Sequence, residues 1–100
     1  MEKAKLVDSP IEKLIVWFCP GCNREHKVPV IKKNQAGGIM WSWNGSLDSP
    51  TLSPSIRIDY GNTLMGGMCH SWVKNGSIEF CGDCTHHLKG QTVPMKDLLP

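Results

Sequence analysis

The chain has 100 residues, with 11 basic and 9 acidic side chains, a formal charge of +2 and no block of like charge. That balance argues against a strongly electrostatic nucleic-acid binder, and no apolar run approaches the roughly 18 residues that span a bilayer. A chain of this length buries roughly two-thirds of the surface its unfolded form exposes, so a cross-link would strengthen the modest core of a single domain over 1–100.

The N-terminus carries scattered charges (Glu2, Lys3, Lys5, Asp8) and lacks an apolar signal region, which makes a cytoplasmic location the expectation. Residues 1–10 read as peripheral, with one helical turn beginning at Ser9-Pro10-Ile11-Glu12. Leu14 to Phe18 is rich in β-branched and aromatic side chains and reads as a strand ending at Cys19-Pro20-Gly21-Cys22. Proline pre-sets φ in that turn, and glycine lets the following amides face a sulfur.

Asn23 to Lys27 is a polar turn, and Val28 to Ile31 a short strand that Pro29 confines to an edge or a bulge, because proline donates no ladder bond. Lys32 to Gly38 reads as a loop. Ile39, Trp41 and Trp43 share one face of a strand that stops at Asn44-Gly45. Ser46 to Pro54 is irregular, held extended by Ser49-Pro50 and Ser53-Pro54, and Ser55 to Tyr60 alternates as a strand.

Cys69 to Gly82 reads as a hairpin on Asn75-Gly76. A type I′ turn there pairs Lys74 with Ser77, Val73 with Ile78, Trp72 with Glu79, Ser71 with Phe80 and His70 with Cys81. Cys69 then lies on the core face with Ser71 and Val73, and His70 and Cys81 share the other face. Gln91 to Val93 is a last short strand before a tail, of which 95–100 is peripheral. Nothing offers an amphipathic helix of about ten residues. The expected fold is therefore mainly β, a small antiparallel β domain with zinc-knuckle or zinc-ribbon-like turns.

In a reducing cytosol five cysteines read as metal ligands or free thiols, and the odd count weakens an all-disulfide scheme. Two C-x-x-C pairs, Cys19/Cys22 and Cys81/Cys84, offer soft thiolates of the kind that structural zinc prefers. The pattern leaves the ligand set open. It is either the four paired cysteines, or the first pair with Cys69 or His70 and one of Cys84 or His86. His26 is near enough to Cys22 to ligate or to support a ligand. A thioredoxin-like role fits poorly, since no helix follows either pair to lower a thiol pKa.

Phe18-Cys19-Pro20-Gly21-Cys22 with His26, Trp41, Trp43-Asn44-Gly45, Pro50 to Ile56, Cys69-His70-Ser71, Gly76-Ser77-Ile78, Asp83-Cys84-Thr85-His86, Leu88 and Gly90-Gln91-Thr92 together resemble a known family. It is a family of small phage and prophage proteins, a domain of unknown function often carried under the name ammonia monooxygenase. The resemblance spans roughly residues 16 to 94. It implies that Cys19, Cys22, His26, Cys69, His70, Asp83 and His86 belong to the family pattern. Cys84 occupies a position that looks like Cys or Ser, and Cys81 is peculiar to this sequence. The preferred zinc ligands become Cys19, Cys22 and Cys69, completed by His86 or Cys84, with His26, His70, Cys81 and Asp83 as further candidates. Ammonia oxidation itself would demand copper or iron redox chemistry and electron delivery, for which the sequence has no cofactor fold.

The expected function is a non-enzymatic zinc-binding module, a phage accessory protein that binds a protein partner in the host cytoplasm. Trp41, Trp43, Trp72 and Tyr60 offer an aromatic surface, with Lys32, Lys33 and Arg57 as charge beside it, although core packing is the commoner fate of such side chains. One alternative is a zinc-dependent hydrolase using His26, His70, His86 and Asp83, with Thr51, Ser53 and Ser55 bordering a pocket. It is disfavoured because no H-E-x-x-H occurs and thiolates are poor supports for activating water. The other is a weak nucleic-acid-binding zinc ribbon. No residue is assigned a catalytic role.

Overall fold

Alternating apolar and polar side chains resolve, in the computed structural model, into eight strands forming two antiparallel sheets. The structure describes residues 2–32, 40–62, 64 and 66–98, and among these there is no α-helix and no helix long and apolar enough to cross a membrane. The expected loop and the start of the expected third strand, residues 33–39, lie outside the described residues.

The first sheet is β1 (Ala4–Asp8), β2 (Glu12–Cys19) and β3 (Arg24–Lys32), in that order. Ala4–Asp8, read from sequence as peripheral, pairs with Lys13–Trp17 of β2, and Ala4 is fully buried. The expected helical turn at Ser9 is instead the hairpin turn between them. The Ser9 N–H and hydroxyl both donate to the Glu12 carbonyl, and the Glu12 N–H donates to Ser9 Oγ. Strand formers on both sides of the turn find each other, and pairing overrides a weak local helical signal. In β3, Lys13 pairs with Ile31 but Leu14 with Pro29, so Val30 is an extra residue. Pro29 thus sits beside a bulge on an edge strand, where its missing N–H costs no ladder bond.

The second sheet is β4 (Ser42–Trp43), β5 (Leu52–Asp59), β6 (Met68–Lys74), β7 (Ser77–Phe80) and β8 (Thr92–Pro94), in that order. Asn75 (φ 48°) and Gly76 (φ 78°) turn β6 into β7 with the pairing that the Asn-Gly signal predicts. Strand β5 begins three residues before Ser55 and is interrupted. Leu52 pairs with Val73 and Ile56 with Ser71, so Ser53, Pro54 and Ser55 together face one residue, Trp72. The Ser53–Pro54 bond inside this bulge is cis.

One buried cluster serves both sheets. Ala4, Ile15, Trp17, Val28 and Val30 come from the first, and Leu52, Ile56, Val73, Ile78 and Phe80 from the second, with Met95 beyond β8 joining them. On β6 the alternation is strict: Cys69, Ser71 and Val73 are buried, and Met68, His70 and Trp72 are half-buried on the outer face. That alternation sends consecutive residues to two different sites.

Candidate active site and metal cluster

Cys69 and His70 are adjacent on β6, so their side chains leave on opposite faces. Inward, Cys69 Sγ lies 3.9 Å from Sγ of Cys19, at the end of β2. The turn after Cys19 folds back on it. Its Sγ accepts the Cys22 N–H at 3.4 Å, its carbonyl accepts the Asn23 N–H, and Asn23 takes a left-handed φ of 56° to allow this. His86, beyond β7, lies flat on Gly21, where a Cβ would stand 2.3 Å from the ring. Only glycine leaves that room. The three sulfurs and one ring nitrogen of His86 lie within 4.8 Å of one another.

The electrostatics of this cluster are those of donors crowded together. A thiol hydrogen bond from Cys69, helped by His26, pulls Cys19 down to about 4 against the effect of burial. The same contact pushes Cys69 up, and burial reinforces it; burial also raises Cys22. One thiolate therefore excludes others nearby. Burial holds His86 below its ordinary range, and its Nε2 is buried with no hydrogen-bond partner among the described residues. A divalent cation would neutralise further thiolates and occupy the orphaned nitrogen, and three sulfurs with one imidazole are a donor set of closed zinc sites. His86 Nδ1 accepts the Leu88 N–H at 3.2 Å, so ligation through Nε2, which puts the ring proton on Nδ1, would break that bond and turn the Leu88 N–H elsewhere. The residues present fit such an ion. His26 is 2% exposed and stays outside the four; it packs edge-on to Trp17, and its Nδ1 lies 3.4 Å from the Tyr60 hydroxyl. Burial and the neighbouring Cys22 push the Tyr60 phenol up to about 12.

The second pair does something else. Cys84 Sγ accepts the His70 N–H at 3.2 Å and donates to the His70 carbonyl at 3.1 Å. The same carbonyl accepts the Cys81 N–H at 2.8 Å, and the Cys84 N–H closes the turn on Cys81 O. Cys81-Gly82-Asp83-Cys84 is thus a clamp on the His70 backbone, and Cys84 is absent from the sulfur cluster. Burial and the charge of Asp83 push the Cys81 thiol up. His87 is exposed beside the His86 ring.

Outward from β6, three side chains form a chain of hydrogen bonds. Ser55 Oγ lies 3.0 Å from His70 Nε2, and His70 Nδ1 lies 3.1 and 3.2 Å from the two oxygens of Asp83. An ionised carboxylate only accepts, so Nδ1 carries the ring proton and Nε2 accepts from the serine hydroxyl. The bulge in β5 brings Ser55 to His70, and the Cys81–Cys84 clamp brings Asp83 to its other nitrogen. A hydroxyl, an imidazole and a carboxylate joined in this order have the arrangement in which serine hydrolases set nucleophile, base and orienting acid, whatever their order along the chain. Sequence reasoning named His70 and Asp83 as site candidates, and Ser55 only as a pocket border. The sequence carried no signal joining Ser55 to His70, because they meet through the irregular pairing of β5 with β6.

The family described as bacterial ubiquitination-like system serine protease (BubE) matches residues 1–81. No curated protein and no solved structure matches the chain. The matched span holds Ser55 and His70; Asp83 lies two residues past it and is supplied by the geometry. Of the resemblance to phage and prophage proteins, what stands is a small domain family, bacterial in its description. The family also overturns two expectations, that of a non-enzymatic phage accessory module and that of a chain that is not an enzyme. Both rested on weighing the cysteines and histidines as metal ligands alone, a view that leaves a serine no part to play. Over more than half its length, the chain belongs to the BubE family of serine proteases.

Proposed function

We propose that this protein is a serine protease of a bacterial ubiquitination-like system, in which Ser55 is the nucleophile, His70 the general base and acid, and Asp83 the residue that orients His70. The observation that carries the reading is the unbroken chain from Ser55 Oγ through both nitrogens of His70 to Asp83. Ser55 Oγ attacks the carbonyl carbon of the scissile bond while His70 Nε2 takes its proton. Asp83 holds Nδ1–H and stabilises the imidazolium so formed. His70 then passes that proton to the leaving amine, leaving an acyl group on Ser55. Water, deprotonated by the same nitrogen, releases it. The substrate we assign is an acyl linkage of a ubiquitin-like protein, a reading supported by the family's place in a bacterial ubiquitination-like system. The triad lies on an outer sheet face, with His70 and Asp83 side chains 27% and 54% exposed, which suits a linkage presented by a protein surface.

Cys19, Cys22, Cys69 and His86 would hold a zinc ion with a structural task. Zinc there would fasten β2, β6 and the segment after β7 to one point, one residue behind the catalytic histidine, with no part in bond cleavage.

A fluorophosphonate, which reacts with activated serines, tests the nucleophile. Stoichiometric labelling at Ser55 is expected, lost in Ser55→Ala with the circular dichroism spectrum unchanged. Hydrolysis should fall by on the order of 10⁴ or more in that variant. Labelling elsewhere, or hydrolysis that survives Ser55→Ala, would remove the proposal.

A further inference from the structure

Four of the five cysteine side chains are accounted for, three in the buried cluster and one on the His70 backbone. Cys81 is the fifth. Its backbone N–H donates to the His70 carbonyl, which places its side chain on the outer face with His70, and Asp83 follows two residues later. A ring nitrogen of His70, the Cys81 sulfur and a carboxylate oxygen of Asp83 lie within 4.8 Å of one another.

We propose that His70, Cys81 and Asp83 form a second, weaker site for a soft divalent cation of the zinc class, and that filling it switches the catalytic triad off. Sulfur, imidazole nitrogen and carboxylate oxygen are all zinc donors, and ligand atoms around a tetrahedral ion stand roughly 3.5 Å apart, within small side-chain adjustments of this arrangement. A thiolate and a carboxylate balance the two positive charges, and Glu79, exposed at the end of the same hairpin, adds negative charge near Cys81. His70 and Cys81 are half-buried and Asp83 is exposed, so a cation reaches them from solvent. Three protein donors hold an ion less tightly than the four of the buried cluster, which makes this site reversible in a range where the other stays filled.

The inhibitory step balances simply. The cation takes the His70 nitrogen that now faces Asp83, together with Asp83 and the Cys81 sulfur; the thiol proton of Cys81 leaves to solvent, and the ring proton moves to Nε2, which then donates toward Ser55 Oγ and no longer accepts from it. Asp83 then no longer orients the imidazole, and the ring no longer takes the proton of Ser55. The switching half of this inference rests on Ser55 as nucleophile; the cation site does not.

The test titrates the protein as purified with Zn²⁺, counting metal by equilibrium dialysis and following fluorophosphonate labelling of Ser55. One equivalent beyond what the protein already carries is expected to bind, and labelling to slow at least about tenfold as it fills. Cys81→Ser and Cys81→Ala should each need at least about tenfold more zinc for both effects, a loss of one soft ligand. No further equivalent up to high-micromolar zinc, or one whose affinity ignores both substitutions, overturns the site. If a further equivalent binds without slowing labelling, the switch is overturned and the site stands. Absence of labelling before any zinc is added strikes the serine mechanism, while the dialysis count still decides the cation site.

Discussion

Cys19 and Cys22 leave the end of β2, and Cys81 and Cys84 leave the end of β7, each pair spaced by two residues. The first turn follows a strand whose end is buried beneath β6, so its sulfurs meet Cys69 and His86 in the interior. The second turn follows a hairpin whose partner strand carries His70, and the Cys81 N–H and the Cys84 sulfur go to that residue's backbone. Equal spacing thus yields a cation cradle in one case and a histidine clamp in the other. The neighbour that the strand pairing supplies decides which. The two are joined at Cys69-His70, where one residue looks inward to the cluster and the next outward to the triad.

The sharpest way to break this comparison is to remove a ligand of the first pair. Cys22→Ser leaves three donors around the ion. Structural zinc contributes apparent binding free energies of about 10–16 kcal/mol that are also folding free energy. We expect the variant to lose stoichiometric metal and at least about 3 kcal/mol of stability, or roughly 12–24 °C in Tm for a domain of this size. Elemental analysis and thermal unfolding check both. Retained metal with unchanged Tm would mean that Cys22 is not a ligand, and no metal in either protein would mean that the cluster is only four side chains in contact.

The second pair should respond differently. Cys84→Ala removes two hydrogen bonds to the His70 backbone and touches none of the cluster donors. Metal content should be unchanged and kcat should fall about tenfold, the consequence of roughly 1.4 kcal/mol lost in holding the base. Cys84→Ser restores a donor and acceptor at the same place and should recover most of the rate. If Cys84→Ala instead loses its metal, Cys84 is a ligand and the contrast between the two turns disappears.

Much of the second sheet was legible in the chain. Asn75-Gly76 fixes the pairing from Lys74 with Ser77 to Ser71 with Phe80, and the Cys81 N–H bonded to the His70 carbonyl beyond it puts Cys81 beside His70. Pro29 announced its edge and its bulge for the same local reason. What could not be read was the partner of each face. Ser55 becomes a nucleophile because Ser53, Pro54 and Ser55 together oppose Trp72, a mismatch between strands that no residue in β5 signals by itself. Likewise β1 carries charges that look like a solvated tail, and only the unpaired edge of β2 makes it a strand. A C-x-x-C pair announces sulfur, and what the sulfur faces is decided by long-range pairing.

The smallest effect is a difference of one proton, and it asks whether the cradle is preformed. In the folded chain Cys19 sits at about 4 because Cys69 donates to it, whereas Cys22 and Cys69 are raised and His86 is lowered. At pH 7 the cluster therefore holds one thiolate, two thiols and a neutral imidazole, and zinc binding should release about two protons. An unfolded chain, with all three thiols near their ordinary values of about 8.5, would release about three. The sign for stability follows from the same shift. A group whose acidity is raised on folding favours the folded state above its unfolded value, and that contribution is lost as pH falls toward 4. Affinity should accordingly fall about a hundredfold per pH unit just below 7, two protons competing with one ion. Calorimetry in buffers of different ionisation enthalpy counts the protons. A count of three would mean that the metal assembles the cradle, and a count of two that the strands bring Cys19, Cys69 and His86 together before any ion arrives.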